Sequence, residues 1–420
     1  MRKDFKMTEL ELKGAAAKKA SRILSVAGTE NKNNALLKMA ELLVQNKDKW
    51  LEANKKDIEA AKIAGITDAF LDRLTLTEKR IEEIAKGVKS VAALQDPVGE
   101  IISSYTRDDG LKIDQVRVPV GVIGIIFEAR PNVAVDAAVL CVKAGNACIL
   151  RGGKEAINSN ICAVNIMRQA LELSGLPADC ITLVEDTSRQ SSNELMSLTQ
   201  YVDVLIPRGG RGLIRAISEN AKVPVIRTGE GVCHIYVDKD ADIEMGARIL
   251  YNAKCSRPSV CNAVECLILH KEIAKDFLEE AEKLLEADNV ELRCDDYSAQ
   301  FVKKFVPASE EDWDTEYDDY ILAVKTVESV DEAIEFITKH GTEHSEAIIT
   351  TNESAAEKFL NEVDAAAVYV NASTRFTDGG EFGMGAEIGI STQKLHARGP
   401  MGLKEITSTK YKIYGKGQVR

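Results

Sequence analysis

The sequence predicts an α/β protein built on doubly wound parallel sheets, and three observations support this prediction. Short, almost wholly apolar runs of strand length alternate with segments whose apolar residues recur at helical spacing, as in βαβ units. The alternation occurs in two regions of the chain, from Val118 to Ile226 and from about Asp242 to Val370. The chain has 420 residues, which is too long for one core, so we expect two or three domains.

The first hundred residues are predicted to be helical, and a hairpin follows them. Apolar residues recur at helical spacing over 36–44 and 81–88, and Thr77 has the residue type and position of an N-cap for the second helix. Residues 101–105 and 111–118 are then predicted to be two strands joined by a turn at 108–110.

The first α/β region begins with a run from Val120 to Phe127 that is nearly all apolar, as expected for a strand buried on both faces. Its further elements are predicted as helices at 133–144, 157–173 and 213–221, and strands at 147–150, 181–184, 202–206 and 223–226. This order of strands and helices is typical of a doubly wound sheet.

The second region is predicted to contain helices at 273–286 and 330–338 and an acidic loop at 310–319. A Gly-rich stretch follows at 376–389, and residues 405–414 alternate between polar and apolar side chains like a strand.

Composition and charge exclude several classes of function. The formal net charge of -12 argues against a nucleic-acid or anionic-membrane partner. Nine cysteines, an odd number set mostly in apolar runs, indicate free thiols in a reducing compartment, and no His/Cys spacing suggests a metal site. Residues 1–6 begin no signal peptide and no apolar run could span a bilayer, so we expect a cytoplasmic protein.

A thiol near the start of a predicted strand is the leading candidate for catalysis. Cys261 stands beside Asn262 just before the apolar run 264–269, and the upstream cations Lys254 and Arg257 would favour its thiolate, the form that attacks an acyl carbon. Cys255 is a rival on spacing alone. The remaining thiols are interpreted as core packing.

Two Gly-rich turns each follow a strand and precede a helix. Arg151-Gly152-Gly153-Lys154 and the turn around Gly209 and Gly210 could present backbone amides and cations to phosphate oxygens. Capped surface turns explain either one as well. Two such turns in one sheet favour a nucleotide-binding edge, and Arg151 with Lys154 would suit a ribose 2′-phosphate, hence NADP over NAD.

Arg375 and Arg398 lie on either side of the Gly-rich stretch and could bind a carboxylate or a phosphate; solvated loop charges are an equally good interpretation. His396 could be imagined as a general base, but a lone histidine beside a Gly loop is more often structural.

Five motifs resemble one family, the gamma-glutamyl phosphate reductases (glutamate-5-semialdehyde dehydrogenases) of the aldehyde dehydrogenase superfamily, over nearly the whole chain. The motifs are Phe127-Glu-Ala-Arg-Pro-Asn-Val133, Leu150-Arg-Gly-Gly-Lys-Glu155, Lys254-Cys-Ser-Arg-Pro-Ser-Val-Cys-Asn262, Val370-Asn-Ala-Ser-Thr-Arg-Phe-Thr-Asp378 and Glu387-Ile-Gly-Ile-Ser-Thr-Gln-Lys-Leu-His-Ala-Arg-Gly-Pro400. Cys255 departs from the family pattern, in which a threonine or a similar polar residue is expected.

The resemblance implies an aldehyde dehydrogenase-like fold: two doubly wound parallel-sheet domains and a small β-flap for oligomerisation. We expect helices and an NADP-binding domain at 1–238, with the hairpin 101–118 joining the flap, and a catalytic domain at 239–371. Residues 372–400 would return to the cofactor domain, and 401–420 would supply the oligomerisation strand.

The resemblance also implies NADPH-dependent reduction of L-glutamyl 5-phosphate in proline biosynthesis, with Cys261 as the nucleophile and a thioester intermediate. We expect the Cys261 N–H and the Asn132 side chain to stabilise the oxyanion. The candidate substrate-binding residues are Arg130, Arg257, Arg375 and Arg398. The candidate cofactor-binding residues are Arg151, Gly152, Gly153, Lys154, Gly209, Gly210 and Glu316. A homo-oligomer and functional coupling to a separate glutamate 5-kinase are also expected.

Two alternatives stay open. One is a hydrolytic aldehyde dehydrogenase with Glu230 as the general base, although the Glu-Leu-Gly-Gly stretch of such enzymes is replaced here by Arg227-Thr-Gly-Glu-Gly231. The other is a catalytically inactive binding protein on the same fold, which the intact segment around Cys261 disfavours.

Overall fold

The computed structural model describes residues 7–128 and 130–420, apart from the side chains of residues 68 and 69. Residues 1–6, from which no signal peptide was expected, and Ala129 of the first family motif lie outside the described residues. The chain divides into two compact units. Unit 1 takes in the chain up to Arg227, with Met384–Gly389 and Met401–Arg420; unit 2 comprises Thr228–Gly383 and Ile390–Pro400.

The N-terminal part of unit 1 is helical, as predicted. Its helices are α1 Glu9–Leu24, α2 Thr29–Gln45, α3 Lys47–Ile63, α4 Asp68–Leu74 and α5 Glu78–Ala93. Thr77 caps α5, because its side chain accepts a hydrogen bond from the Arg80 N–H at 3.1 Å, which confirms the predicted N-cap.

A parallel sheet with the order β5-β4-β3-β6 forms the core of unit 1. Its strands and the helices between them are β3 Val122–Phe127, α6 Pro131–Lys143, β4 Ala147–Arg151, α7 Ile157–Leu173, β5 Ile181–Leu183, α8 Arg189–Ser197, β6 Val204–Arg208 and α9 Arg211–Asn220. All six residues of β3 are buried, as its apolar sequence predicts. The strand predicted at 223–226 is wrong: Val225 forms only an isolated bridge with Leu205, next to Pro224, which has no N–H to donate.

The hairpin and the C-terminal strand form an antiparallel sheet in unit 1. Its strands are β1 Ile101–Thr106, β2 Lys112–Pro119 and β16 Thr407–Tyr414, in the order β1-β2-β16. Gly110 in the connecting turn has φ +84°, a conformation that glycine adopts readily. The predicted hairpin and C-terminal strand are thus present and paired.

Unit 2 is built on a seven-stranded parallel sheet with the order β10-β9-β11-β8-β7-β12-β13. Its strands and helices are β7 Cys233–Val237, α10 Ile243–Cys255, β8 Val264–His270, α11 Ala274–Leu285, β9 Glu291–Cys294, β10 Val306–Pro307, β11 Ile321–Val327, α12 Val330–His340, β12 Ser345–Ile349, α13 Glu353–Glu362 and β13 Ala367–Val370. A short antiparallel pair, β14 Ile390–Ser391 and β15 Gly399–Pro400, completes the unit.

The unit boundaries differ from the domain limits expected from sequence. The first lies at 227/228 instead of 238/239, because β7 pairs with β8 and β12 inside the second sheet. Of the segment 372–400, only Met384–Gly389 groups with unit 1. The Gly229 N–H, for example, donates to Ile390 O at 2.8 Å within unit 2.

No helix in the described part of the chain is long and apolar enough to cross a membrane. Within the same residues, no group of three or more His, Cys, Asp or Glu side chains is placed to hold a metal ion.

Candidate active site

Cys261 lies in a loop of unit 2, residues 256–263, between the end of α10 and the start of β8. We call this segment the Cys261 loop. Cys261 is partly exposed, whereas Cys255, the last residue of α10, is packed in the core. Burial, with the neighbouring Asp288, raises the pKa of Cys255 to about 12, although Lys254 opposes the shift. Since the thiolate is the reactive form, these environments favour Cys261 over its rival.

The backbone of Cys261 is fixed by a close contact with Gly231. A Cβ atom on Gly231 would lie 1.4 Å from Cys261 O, so no side chain fits at this position. The same carbonyl oxygen accepts a hydrogen bond from Cys233 Sγ at 3.2 Å. These two contacts, from Gly231 before β7 and from Cys233 at its start, therefore fix the position of the Cys261 loop.

Asn262 is held by a distant part of unit 2, a 3₁₀ turn at Thr374–Phe376. Its Nδ2 donates to Thr377 O at 2.9 Å, and its backbone oxygen accepts from Thr374 Oγ1 at 2.7 Å. Its Oδ1 accepts from Arg375 Nη1. Asn262 is therefore a bracing residue for the Cys261 loop, and it brings Arg375 next to the candidate nucleophile.

Two arginines supply positive charge near Cys261. Arg257 is exposed on the Cys261 loop. The pKa of Arg375 is lowered, first by burial and then by the charge of Arg257, while Asp378 and Cys261 act in the opposite direction. Arg375 is therefore within electrostatic range of both Arg257 and Cys261.

Lys254 does not contribute charge in the way expected from its position in the sequence. Its Nζ is 2.5 Å from Glu265 Oε2, and both side chains are at most 1% exposed. The partner of Lys254 is therefore Glu265, whereas Arg375 is within electrostatic range of Cys261.

Arg398 is bound to carboxylates of unit 2. Its Nη1 donates to Asp364 Oδ1 at 2.6 Å, and its Nη2 lies 3.3 Å from Glu343 Oε2. Asp364 also pairs with Lys394. These contacts tie the loop of Arg398 to two partly exposed carboxylates of unit 2.

Arg130 and Asn132 lie in unit 1 at the start of α6. Arg130 is exposed and occupies the N-cap position. Asn132 is in the first turn of α6, and its Nδ2 donates to Asp136 Oδ2 at 2.9 Å.

The turn after β4 combines an engaged arginine with an exposed lysine. Arg151 Nη2 donates to the backbone oxygens of Thr187 and Ser188 at 2.6 and 2.9 Å, whereas Lys154 is exposed at the start of a 3₁₀ turn. A Cβ atom on Gly152 would lie 2.3 Å from Asn160 Nδ2. Neither amide atom of the buried Asn160 has a hydrogen-bond partner among the described residues, and the same holds for Arg151 Nε.

The turn after β6 is occupied by a carboxylate of the protein itself. The Gly210 N–H donates to Glu128 Oε2 at 3.1 Å, and a Cβ atom on Gly209 would lie 2.6 Å from the Glu128 carboxyl carbon. Glu128 thus takes an amide that a phosphate would need, so of the two Gly-rich turns the one after β4 is the better candidate for a cofactor.

Glu316 lies in unit 2, in the loop between β10 and β11. Its Oε1 accepts a hydrogen bond from the Gly231 N–H at 3.0 Å, next to the close contact of Gly231 with Cys261. Its carboxylate is therefore part of the surroundings of the candidate nucleophile.

Sequence reasoning missed the polar side chains beneath the Cys261 loop. Cys233 Sγ lies 3.7 Å from His344 Nδ1, which is 2.8 Å from Ser345 Oγ. Ser345 Oγ in turn forms a hydrogen bond with Thr377 Oγ1 at 2.6 Å. Burial lowers the pKa of His344 to about 4, so its ring is neutral at physiological pH. No spacing signal connects these residues, which come from three separate segments.

The comparisons with known proteins agree on one family. The model of the aldehyde dehydrogenase family matches residues 5–300. The gamma-glutamyl phosphate reductase of Clostridium beijerinckii is 59% identical over 414 residues, which is 99% of this chain and 100% of the relative. That of Carboxydothermus hydrogenoformans is 58% identical over 404 residues, 96% of this chain and 97% of the relative.

Solved structures give the same result. The gamma-glutamyl phosphate reductase of Thermotoga maritima superposes with a TM-score of 0.96 at 49% identity, covering 98% of this chain and 100% of that one. The Saccharomyces cerevisiae enzyme of the same name has a TM-score of 0.55 at 33% identity, covering 99% of both chains. An acetylating aldehyde dehydrogenase from Geobacillus thermoglucosidasius has a TM-score of 0.70 at 17% identity, covering 98% of this chain and 97% of that one; it shows the fold alone. The expected aldehyde dehydrogenase-like α/β fold is confirmed.

Proposed function

Since this chain belongs to the gamma-glutamyl phosphate reductases of the aldehyde dehydrogenase family, we propose that Cys261 is the nucleophile with which it reduces L-glutamyl 5-phosphate to the 5-semialdehyde. This reduction is a step of proline biosynthesis. The observation that carries the assignment to Cys261 is the contrast between two thiols: Cys261 is partly exposed in a braced loop, whereas Cys255 is buried with a raised pKa.

The reaction needs two bond exchanges at one carbon. The Cys261 sulfur attacks the acyl carbon, the bond from that carbon to the phosphate oxygen breaks, and phosphate leaves with the electron pair. After reduction of the resulting thioester, the carbon–sulfur bond breaks, which releases the semialdehyde and restores the thiolate. An acyl phosphate is already activated, so the cycle needs no base to activate water.

Each tetrahedral stage develops an oxyanion, and we assign its stabilisation to the Cys261 N–H and the Asn132 side chain. The backbone donor is supported by the Ala263 N–H, which donates to Val260 O at 2.9 Å and so holds the peptide that carries the Cys261 N–H. The assignment of Asn132 as the second donor rests on analogy with the aldehyde dehydrogenase superfamily.

The family and the reductase activity imply a nicotinamide cofactor, and the turn after β4 fits a nucleotide. Gly153 is only partly buried, Lys154 is exposed, and the buried amide of Asn160, packed against Gly152, has unused hydrogen-bonding atoms. A reduced nicotinamide, when bound, supplies the hydride. We propose NADPH as the preferred form, with Arg151 and Lys154 at the 2′-phosphate and Glu316 as a further contact.

The substrate carries an acyl phosphate and an α-carboxylate, so an acidic protein needs local cations to bind it. Arg257 and Arg375 are the strongest candidates, because they lie in range of each other and Arg375 in range of Cys261. Arg130 is the further candidate at the start of α6. We also propose a cytoplasmic homo-oligomer that works together with a separate glutamate 5-kinase.

The proposal is tested by running the reaction backwards. Glutamate 5-semialdehyde and NADP⁺ should yield NADPH only when inorganic phosphate is present, because phosphate must release the acyl group from Cys261. Turnover at the same rate without phosphate would indicate hydrolysis, with Glu230 as the base, and would overturn the acyl phosphate mechanism.

A further inference from the structure

Lys254 and Glu265 form a buried ion pair to which the proposed reaction assigns no role. Lys254 Nζ and Glu265 Oε2 are 2.5 Å apart, and the side chains are 0% and 1% exposed. Burial raises the pKa of Glu265 while the charge of Lys254 opposes the shift, because the site solvates a carboxylate poorly. Because desolvation offsets most of the attraction in a buried pair, stability alone is a weak explanation for it.

The two residues stand at the two ends of the Cys261 loop. Lys254 is in the last turn of α10 and Glu265 is the second residue of β8, so residues 256–263 lie between them. An ion pair between the ends fixes the distance that the loop must span. It does so beneath a loop whose other restraints act on Cys261 and Asn262 directly.

The second oxygen of Glu265 reaches the loop that carries Glu316. Its Oε1 accepts a hydrogen bond from the Asp318 N–H at 3.4 Å, and Asp318 has φ +56°, in the left-handed region. The intervening Tyr317 places its ring centroid 5.8 Å from Lys254 Nζ. Glu316 in turn accepts from the Gly231 N–H at 3.0 Å, where Gly231 meets the Cys261 carbonyl.

We propose that the Lys254–Glu265 pair is a positioning device for the nucleophile: it fixes both ends of the Cys261 loop and holds the Glu316 segment against Gly231. One carboxylate thus links the two segments that set the position of Cys261. The inference rests on the proposed role of Cys261, and neither member of the pair is a catalytic residue. The pair acts through geometry, so its loss should slow chemistry at Cys261 more than it weakens substrate binding.

The test compares Lys254→Met with a matched variant of another buried pair. Lys32 and Asp96 in unit 1 are 2.7 Å apart, with side chains 1% and 7% exposed, which makes Lys32→Met the control. Two rates are measured below each variant's Tm: kcat for the acyl phosphate, and alkylation of the Cys261 peptide by iodoacetamide, followed by mass spectrometry. We expect Lys254→Met to lower kcat about tenfold to a hundredfold and to slow labelling about tenfold, with KM within about twofold. Lys32→Met should lower Tm and leave both rates within about twofold.

A double variant separates positioning from stability and keeps the test decisive if Lys254→Met folds poorly. Lys254→Met with Glu265→Leu leaves no unpaired buried charge, so its Tm should return towards that of the wild type. Its labelling and kcat should stay low, because the contact to Asp318 is lost as well. Recovery of both rates together with Tm, or wild-type rates in Lys254→Met, would overturn the inference. Failure of the proposed function looks different: Cys261→Ala would then keep its turnover.

Discussion

Cys255 and Cys261 are six positions apart in the chain, yet their surroundings differ in the property that decides thiol reactivity. Cys255 has a raised pKa because it is buried near Asp288, whereas Cys261 is partly exposed and within electrostatic range of Arg375. We expect Cys261→Ala to lose about four orders of magnitude or more in kcat, as when a covalent nucleophile is removed. Cys255→Ala should keep most of the activity.

Steady-state assays of both variants, with circular dichroism as a check on folding, measure this difference. Cys255→Thr is the useful control, because it restores the residue type that the family pattern has at this position while removing the thiol. An inactive Cys255→Thr beside an active Cys261→Ala would reverse the assignment.

The arginines near the Cys261 loop and the Gly-rich stretch also differ from one another in their contacts. Arg257 is exposed and in electrostatic range of Arg375, whereas Arg398 is paired with Asp364 and Glu343. Arg257→Ala should therefore raise KM for the acyl phosphate about tenfold or more, since a charge-assisted contact is lost, with Tm unchanged. Arg398→Ala should lower Tm and leave KM unchanged. Substrate titrations and thermal melts of both variants measure these changes. Unchanged kinetics in Arg257→Ala would refute a role of Arg257 in substrate binding.

At the scale of elements, patterns that are local in the sequence predicted individual helices and strands well. The helix expected at 157–173 is α7, Ile157–Leu173, and the fully apolar run before Phe127 is a buried strand. β7 lies within the range 1–238 expected for the cofactor domain, but it pairs in the sheet of unit 2. An apolar strand shows that it is buried, but it does not show which sheet it joins, and that depends on pairing with β12, more than a hundred residues later.

The candidate site also shows that sequence patterns do not predict contacts between distant segments. Cys261 and Asn262 were recognisable because they are adjacent in a motif, but the contacts that hold Asn262 come from residues 374–377. Cys233 and His344 carry no spacing signal, since only folding brings them together. The pairing of Lys254 with Glu265 carries no spacing signal either, so the sequence shows Lys254 only as a cation upstream of Cys261.

The turn between β4 and α7 gives a prediction about cofactor choice. Arg151 is tied to the backbone at Thr187 and Ser188, so Arg151→Ala should weaken NADPH binding and also lower Tm. Lys154 is exposed, which makes Lys154→Ala the cleaner test. If Lys154 contacts a 2′-phosphate, this variant should raise Kd for NADPH about tenfold, as expected for about 1.5 kcal/mol or more from one charge-assisted bond.

Fluorescence titration with NADPH and NADH measures both affinities. Binding of NADH should be unchanged in Lys154→Ala, because NADH has no 2′-phosphate. An equal loss for both cofactors would show that the lysine supports binding in general without selecting NADPH.

At the scale of the whole molecule, the antiparallel sheet β1-β2-β16 carries an exposed apolar face. Residues paired across an antiparallel sheet point to the same side, and the register aligns Tyr105 with Ile113 and Ile113 with Ile413. Tyr411, two residues from Ile413, lies on that face as well. Tyr105, Ile413 and Tyr411 are 62%, 59% and 63% exposed, and β1 and β16 are the edges of this sheet. Such a surface is typical of a protein–protein contact.

We therefore expect this face to join copies of the chain, and a charged double variant tests it. Tyr411→Lys with Ile413→Lys places two like charges on the apolar face, where association would have to desolvate them, so the assembly should dissociate. Light scattering coupled to gel filtration should give the wild type a multiple of the 45.9 kDa chain mass and the variant a smaller one. Val26→Lys is the control, because Val26 is 83% exposed on the loop after α1 and belongs to no strand of this sheet. An unchanged mass for the double variant would show that the chains associate through another surface, or that the protein is a monomer if the wild type also measures 45.9 kDa.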